Sequence, residues 1–287
     1  MQTRREFIKI TLGSILVADA VSLFGMEIHS RNAWKVGICD WDLRATGLLS
    51  SFGIAKELGF EGVQVSYQPE GDDSLADKAN RPMFLEASKE SGVAIPSFCI
   101  GTLNSNPLAT TPQAVSWVED CIDAMVGMNV EQVLIPFFGK ADLTQNTAHF
   151  PIVVEKFKHL AQLAERNGKI LSIESTLSAE DHIRMIDAVG SNALKVYYDV
   201  CNGVLYKKNY DIFHEIELLG KHNLISQIHF KENRCRLGEG EINFIKVCET
   251  LERIDYNGWV IVESSATEDW REAQIANAQF VKKLLGR

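Results

Sequence analysis

The chain has 287 residues, 46% of them apolar and 23% charged, with a net charge of −9 and an isoelectric point near 5.3. That mixture belongs to a water-soluble globular protein, long enough for two ordinary domains or one large α/β barrel. An acidic chain without a Lys/Arg run lacks the footprint of a nucleic-acid binder, and beyond the N-terminus no apolar stretch approaches the roughly 18 to 20 residues that span a bilayer.

The first residues read differently. "TRREFIK" (3–9) sets paired arginines ahead of Phe7 and Lys9, and the apolar run "ITLGSILV" follows. This is the pattern of a twin-arginine export signal, with small residues in "ADA" (18–20) at an expected cleavage point and Asp19 arguing for cleavage slightly later. Residues 1–26 are therefore assigned to a leader, and the mature protein to the periplasm or another exported location, without stable membrane insertion. The competing reading is an amphipathic N-terminal helix.

Six cysteines in an exported chain invite disulfides. However, Cys39 and Cys99 fall in apolar strand runs and Cys121 and Cys248 in helical patterns, where thiols act as small hydrophobes. A twin-arginine substrate also folds in the reducing cytoplasm. Free thiols are expected, with a Cys201–Cys235 pairing left open.

From residue 34 onward, short apolar runs alternate with segments of helical period. The runs are "WKVGICD" (34–40), "EGVQVSY" (61–67), "AIPSFCI" (94–100), "EQVLIPFF" (131–138), "KILSIES" (169–175), "LKVYYDV" (194–200), "ISQIHFK" (225–231) and "GWVIVES" (258–264). Each is rich in Val, Ile or aromatics and too short for a stable helix. In "FPIVVEKFKHLAQLAERNG" (150–168), Ile152, Val153, Phe157, Leu160 and Leu163 form one helical face and Gly168 supplies a stop. "INFIKVCETLERI" (242–254) and "REAQIANAQFVKKLL" read likewise. Eight strand–helix units imply parallel strands with crossover helices. No strand is followed by a G-x-G-x-x-G turn, so a single (β/α)8 TIM barrel over residues 34–287 is preferred to a doubly wound sheet. "PEGDDSLADKANRP" (69–82) is a long polar loop on the face where barrels build their sites.

The last four strands end alike, in Glu174, Asp199, His229 and Glu263, separated by 25, 30 and 34 residues, one unit at each step. Each has an ordinary structural explanation taken singly. Together, three carboxylates in an apolar-walled mouth repel one another and suffer desolvation, and a divalent cation resolves the conflict. One imidazole and three carboxylates suit Mn²⁺, Mg²⁺ or Co²⁺ better than a structural zinc.

The segments "SIES", "YYDV", "QIHFKEN" with "LGEGEINF", then "GWVIVES" resemble the sugar phosphate isomerase/epimerase family with the xylose-isomerase-like barrel. That family includes ketose 3-epimerases, hydroxypyruvate isomerases and inosose dehydratases. The resemblance implies one divalent cation, Mn²⁺ first and Mg²⁺, Co²⁺ or Zn²⁺ after it, held by Glu174, Asp199, His229 and Glu263. It also implies acid/base roles for Glu174 and Glu263.

The resemblance also implies substrate contacts from Glu180 and from Arg234, with Arg236 as the alternative to Arg234, and Asn202 and Lys231 are expected to contact substrate as well. For Glu180 the competing reading is a helix first turn behind a Ser178/Asp181 capping box, and for Lys231 a salt bridge to Glu232 or Glu263. Asn202 stands where the epimerases carry a histidine; an amide binds a hydroxyl but shuttles no proton.

The expected chemistry is proton abstraction α to a carbonyl of an unphosphorylated carbohydrate, through an enediolate. The alternative is a lyase or hydratase that follows the same abstraction with β-elimination from a 3-keto-sugar or 3-keto-glycoside. A non-catalytic sugar binder is a third reading. An apurinic endonuclease is disfavoured by the charge and by His29, His149, His159, His182, His214 and His222 lying off the ligand strand ends. A homo-oligomer is left open.

Overall fold

The computed structural model describes residues 33–206, 211–264 and 269–287; the expected leader lies outside them. Eight parallel strands close into a barrel in sequence order: β1 (Lys35–Cys39), β2 (Gly62–Ser66), β3 (Phe98–Cys99), β4 (Gln132–Phe137), β5 (Ile170–Ser175), β6 (Leu194–Asp199), β7 (Ile225–Phe230) and β8 (Trp259–Val262). Gly37 pairs with Gly62 on β2 and with Ile261 on β8, so the sheet closes on itself without an open edge. The helices are α1 (Ser50–Leu58), α2 (Arg81–Ser91), α3 (Ala114–Met128), α4 (His149–Arg166), α5 (Ala179–Val189), the short α6 (Asn202–Tyr206), α7 (Ile212–Lys221), α8 (Phe244–Arg253) and α9 (Trp270–Leu284). This is the expected (β/α)8 barrel.

The period-two alternation of each strand creates two apolar layers. Residues such as Val36, Ile38, Val63 and Val65 join the large core between strands and helices, whereas Cys39, Cys99, Leu134, Tyr197 and Ile261 form a separate cluster with Trp41 and Trp259. Gly62 makes room for this inner layer: a Cβ there would lie 2.5 Å from the Trp259 ring. Trp41, Glu174, Lys231 and Glu263 also line one cavity at the mouth.

Two local expectations are corrected. The third strand run contains Pro96, which has no N–H to donate, and regular strand is confined to Phe98–Cys99. Carbonyls of Ala94, Ser97 and Cys99 still accept from Val63, Val65 and Tyr67, so the closure survives. In α4, Val153, Phe157 and Leu160 are buried but Ile152 is 43% exposed, lying off the packed stripe. Helix starts follow the side chains: Ser178 accepts from Asp181 N and Asp211 from Phe213 N and His214 N. All six cysteines, Cys201 and Cys235 included, are free.

Candidate active site

Inward positions recur every second residue, so the polar residue closing each of the last strands enters the mouth. Asp199 is in register with His229, and His229 with Ile261. Glu263 lies one residue beyond β8, where its N–H still donates to Phe230 O at 3.0 Å. The four side chains predicted from separate strands therefore converge. Each of Glu174, Asp199, His229 and Glu263 offers one ligand atom, and these atoms lie within 4.8 Å of one another.

Their other atoms are tied back. Asp199 Oδ1 accepts from the N–H groups of Cys201 (2.7 Å) and Asn202 (2.8 Å), leaving Oδ2 turned inward. Glu174 Oε1 accepts from the Asn202 amide at 2.9 Å. His229 Nδ1 stands 3.1 Å from Glu263 Oε2, 3.5 Å from Glu174 Oε1 and 3.8 Å from Asp199 Oδ2. Asp199 Oδ2, His229 Nδ1 and Glu263 Oε2 are buried without a well-aligned hydrogen bond among the described residues and meet only the ion-pair contacts of one another, of Glu174 and of Lys231. Such atoms are costly unless something satisfies them, and all three face the same point. Oxygen and imidazole nitrogen donors fit a divalent cation, so this cluster can hold one.

The electrostatics carry the same message. Burial and the carboxylates Glu263 and Glu174 push Asp199 up to about 7, against the pull of Lys231. Burial opposes charge on His229, but Glu174 and Glu263 outweigh it and raise the imidazole to about 10. Burial also opposes ionisation of Glu263, yet Lys231 and His229 hold its carboxyl far below the usual range. Lys231 Nζ lies 3.0 Å from Glu263 Oε2 and 3.5 Å from Asp199 Oδ2. It is thus an ion-pair partner within the cluster, and it pairs with Glu263 rather than Glu232. Glu232 instead accepts from Ile242 N at 3.2 Å and organises the loop after β7.

A cavity of about 470 Å³ opens over the cluster. Glu174, Asn202, Lys231 and Glu263 line one side, and Trp41, Gln68, Thr102, Asn104 and Phe138 are among the other lining residues. Asp199 and His229 do not line it. Nor do Glu180, exposed in the first turn of α5, and Arg234, exposed in a left-handed conformation with φ 61°. Arg236 pairs with Glu272 at 3.2 Å. None of the long polar loop (69–82) lines the cavity; Gln68, the residue before it, does. The residues from the first strands were not legible in the sequence because none carries charge, although Trp41, two residues beyond the end of β1, was a signal.

A family model described as xylose isomerase-like TIM barrel matches residues 52–284. Among curated relatives, 2-epi-5-epi-valiolone 7-phosphate 2-epimerase of Actinoplanes sp. is 26% identical over 174 residues, 60% of this chain and 64% of that protein. L-Ribulose-5-phosphate 3-epimerase UlaE of Escherichia coli is 23% identical over 270 residues, covering 82% of this chain and 92% of the relative. Among solved structures, 3-keto-D-glucoside 4-epimerase YcjR from E. coli superimposes with a TM-score of 0.72 at 18% identity, over 87% of this chain and 99% of its own. A D-psicose 3-epimerase reaches 0.72 at 16% identity, over 88% and 100%. At these identities the structural likenesses speak to the fold.

Proposed function

The chain belongs to the xylose isomerase-like TIM barrel family, and from that membership and the geometry of its mouth we propose that it is a metal-dependent sugar epimerase or isomerase. One observation carries the proposal: three buried ligand atoms without an aligned hydrogen bond and a fourth donor converge within 4.8 Å beneath a cavity. The epimerase activities of the relatives named above point the same way. Glu174, Asp199, His229 and Glu263 would hold the cation, with Mn²⁺ the first candidate. When bound, it supplies positive charge that makes the proton α to a substrate carbonyl more acidic.

The protein residues divide the remaining work. Glu174 and Glu263 reach the cavity, whereas Asp199 and His229 do not. The two glutamates are therefore the acid/base pair, one taking the α-proton and the other returning a proton. Lys231 places a cationic head against the developing enediolate, and Asn202 orients Glu174 while presenting an amide to a hydroxyl. Reprotonation from the opposite face gives epimerisation; reprotonation at the neighbouring carbon gives isomerisation.

We propose an unphosphorylated carbohydrate as substrate. Lys231 is the only Lys or Arg among the described lining residues, and it is already paired with two carboxylates. Among the described lining residues a phosphate would find no cation that is not already ion-paired. The proposed twin-arginine leader agrees, since export removes the enzyme from cytoplasmic sugar phosphates. Incubation in D₂O with free ketoses, ketose phosphates and 3-keto-glycosides, followed by NMR, tests the reading. Exchange at the α-carbon of an unphosphorylated sugar supports it, and aglycone release would replace it with the β-eliminating lyase. Fast turnover confined to phosphates would overturn the substrate class. Export is tested separately: Arg4→Lys with Arg5→Lys should abolish it.

A further inference from the structure

Beneath the metal cluster, the interior of the barrel holds a polar chain that the mechanism leaves unused. Gln64 on β2, Ser97 just before β3, Tyr197 on β6 and Gln227 on β7 are each at most 1% exposed. Buried amides must settle which end donates, and here one acceptor settles the whole chain. The Pro96 carbonyl only accepts, so Gln227 presents its Nε2 there, at 3.4 Å. Gln227 Oε1 then faces the Tyr197 hydroxyl at 2.7 Å and the Ser97 hydroxyl at 2.8 Å, and both donate to it. Ser97 has thereby used its one proton and accepts from Gln64 Nε2 at 3.0 Å. Gln64 is left with its carbonyl oxygen to offer to His229 Nε2, at 3.1 Å, and to Cys39 Sγ, at 3.4 Å; the thiol, 3.5 Å from Nε2, spends its one proton on that oxygen.

We infer that Gln64 and Gln227 are positioning residues for the metal centre: a hydrogen-bond chain anchored on the Pro96 carbonyl holds His229 in the Nε2–H tautomer, with Nδ1 aimed among Glu174, Asp199 and Glu263. The inference rests on the metal centre proposed above. The opposite tautomer would put a proton where the lone pair must bind a cation and would set two acceptors, His229 Nε2 and Gln64 Oε1, against each other. A neutral glutamine does this without adding a fourth carboxylate to a crowded cluster. The hydrogen bonds of Gln227 go to Ser97, Tyr197 and Pro96 rather than to the four ligands, and it does not line the cavity, so its influence on them is indirect.

Long-range ¹H–¹⁵N spectra, assigned with His229→Gln, read both ring nitrogens in the Mg²⁺-loaded protein and in the metal-free protein at a pH above about 10, where the imidazole has shed its second proton. Nε2 should carry a proton in each state; a bare Nε2 overturns the inference. Calorimetric titration with Mn²⁺ should then show Gln64→Leu binding about tenfold to a hundredfold more weakly and Gln227→Met about tenfold more weakly. Affinities of Gln64→Leu and Gln227→Met within about twofold of the parent, in folded protein, would reduce the chain to packing and overturn the inference. If the variants do not fold, the ring nitrogens of the parent decide. If the parent binds no Mn²⁺, the metal-centre reading fails by itself, while the metal-free spectra still decide the chain.

Discussion

Glu174 and Glu263 differ from Asp199 and His229 in one respect that separates their chemistry: they reach the cavity. Glu174→Gln and Glu263→Gln should each lower turnover by on the order of a hundredfold or more while some metal remains bound. His229→Ala should lose the metal itself, seen by elemental analysis of protein purified without chelator. Asn202→Ala removes a hydrogen bond to the Glu174 carboxylate, worth about 1.5–3 kcal/mol for a charged partner, and should lower kcat/KM by about tenfold to a hundredfold. Asp40 offers a test of pH dependence away from the metal cluster. It is fully buried and accepts from Gly47 N, Ser66 N and Ser66 Oγ, yet burial outweighs those bonds and raises its carboxyl from 3.8 to about 6. The folded state therefore holds this proton after the unfolded chain has lost it. Stability from this group is present below about pH 4 and falls as pH rises through 6, by on the order of 3 kcal/mol. An asparagine can keep all three contacts, with the Ser66 hydroxyl reversed. Asp40→Asn should flatten the difference in urea midpoint between pH 4 and 7.

At the scale of the element, legibility followed the strength of the local signal. All eight strands were readable because each apolar run is bounded by turn residues, and α5 because Ser178 and Asp181 make a cap. Ser178→Ala should cost about 1 kcal/mol of stability and leave turnover unchanged, since the cap holds a helix start rather than the cavity. The four ligands were readable because period-two alternation and one-unit spacing put ionisable residues at corresponding strand ends. What escaped notice was neutral. Gln64 in "GVQVS" and Gln227 in "ISQIHF" interrupt apolar strands, and only the closed barrel shows them meeting across the interior through Ser97. Glu180 was ambiguous between a cap-turn carboxylate and a substrate contact because sequence does not say which way a first helical turn faces. Its exposed position on α5 favours the first reading, and Glu180→Gln should change KM by less than about twofold, as expected for surface substitutions.

For the whole molecule, the cluster makes stability and metal binding one equilibrium. The ligands come from β5, β6 and β7 and from the residue following β8, so a cation held by all four ties together one side of a barrel whose β8 also closes onto β1. Without the cation, Asp199 Oδ2 and Glu263 Oε2 are left buried against each other with only Lys231 and His229 to compensate. An unfolded chain has no such site, so binding adds RT ln(1 + [L]/Kd), about 4 kcal/mol at a thousandfold excess over Kd. For a chain of this size that corresponds to an increase in Tm on the order of 10 °C. Thermal denaturation followed with and without Mn²⁺ should show that shift in the parent and in Asp40→Asn, whose change lies outside the ligand set. It should be absent in His229→Ala. The shift should also shrink as pH falls below about 10, where protons compete for His229, and further as it falls through about 7, where they compete for Asp199 as well. A parent protein whose Tm ignores Mn²⁺ at pH 8, or a His229→Ala variant that responds as strongly as the parent, would break the link between these four residues and the metal.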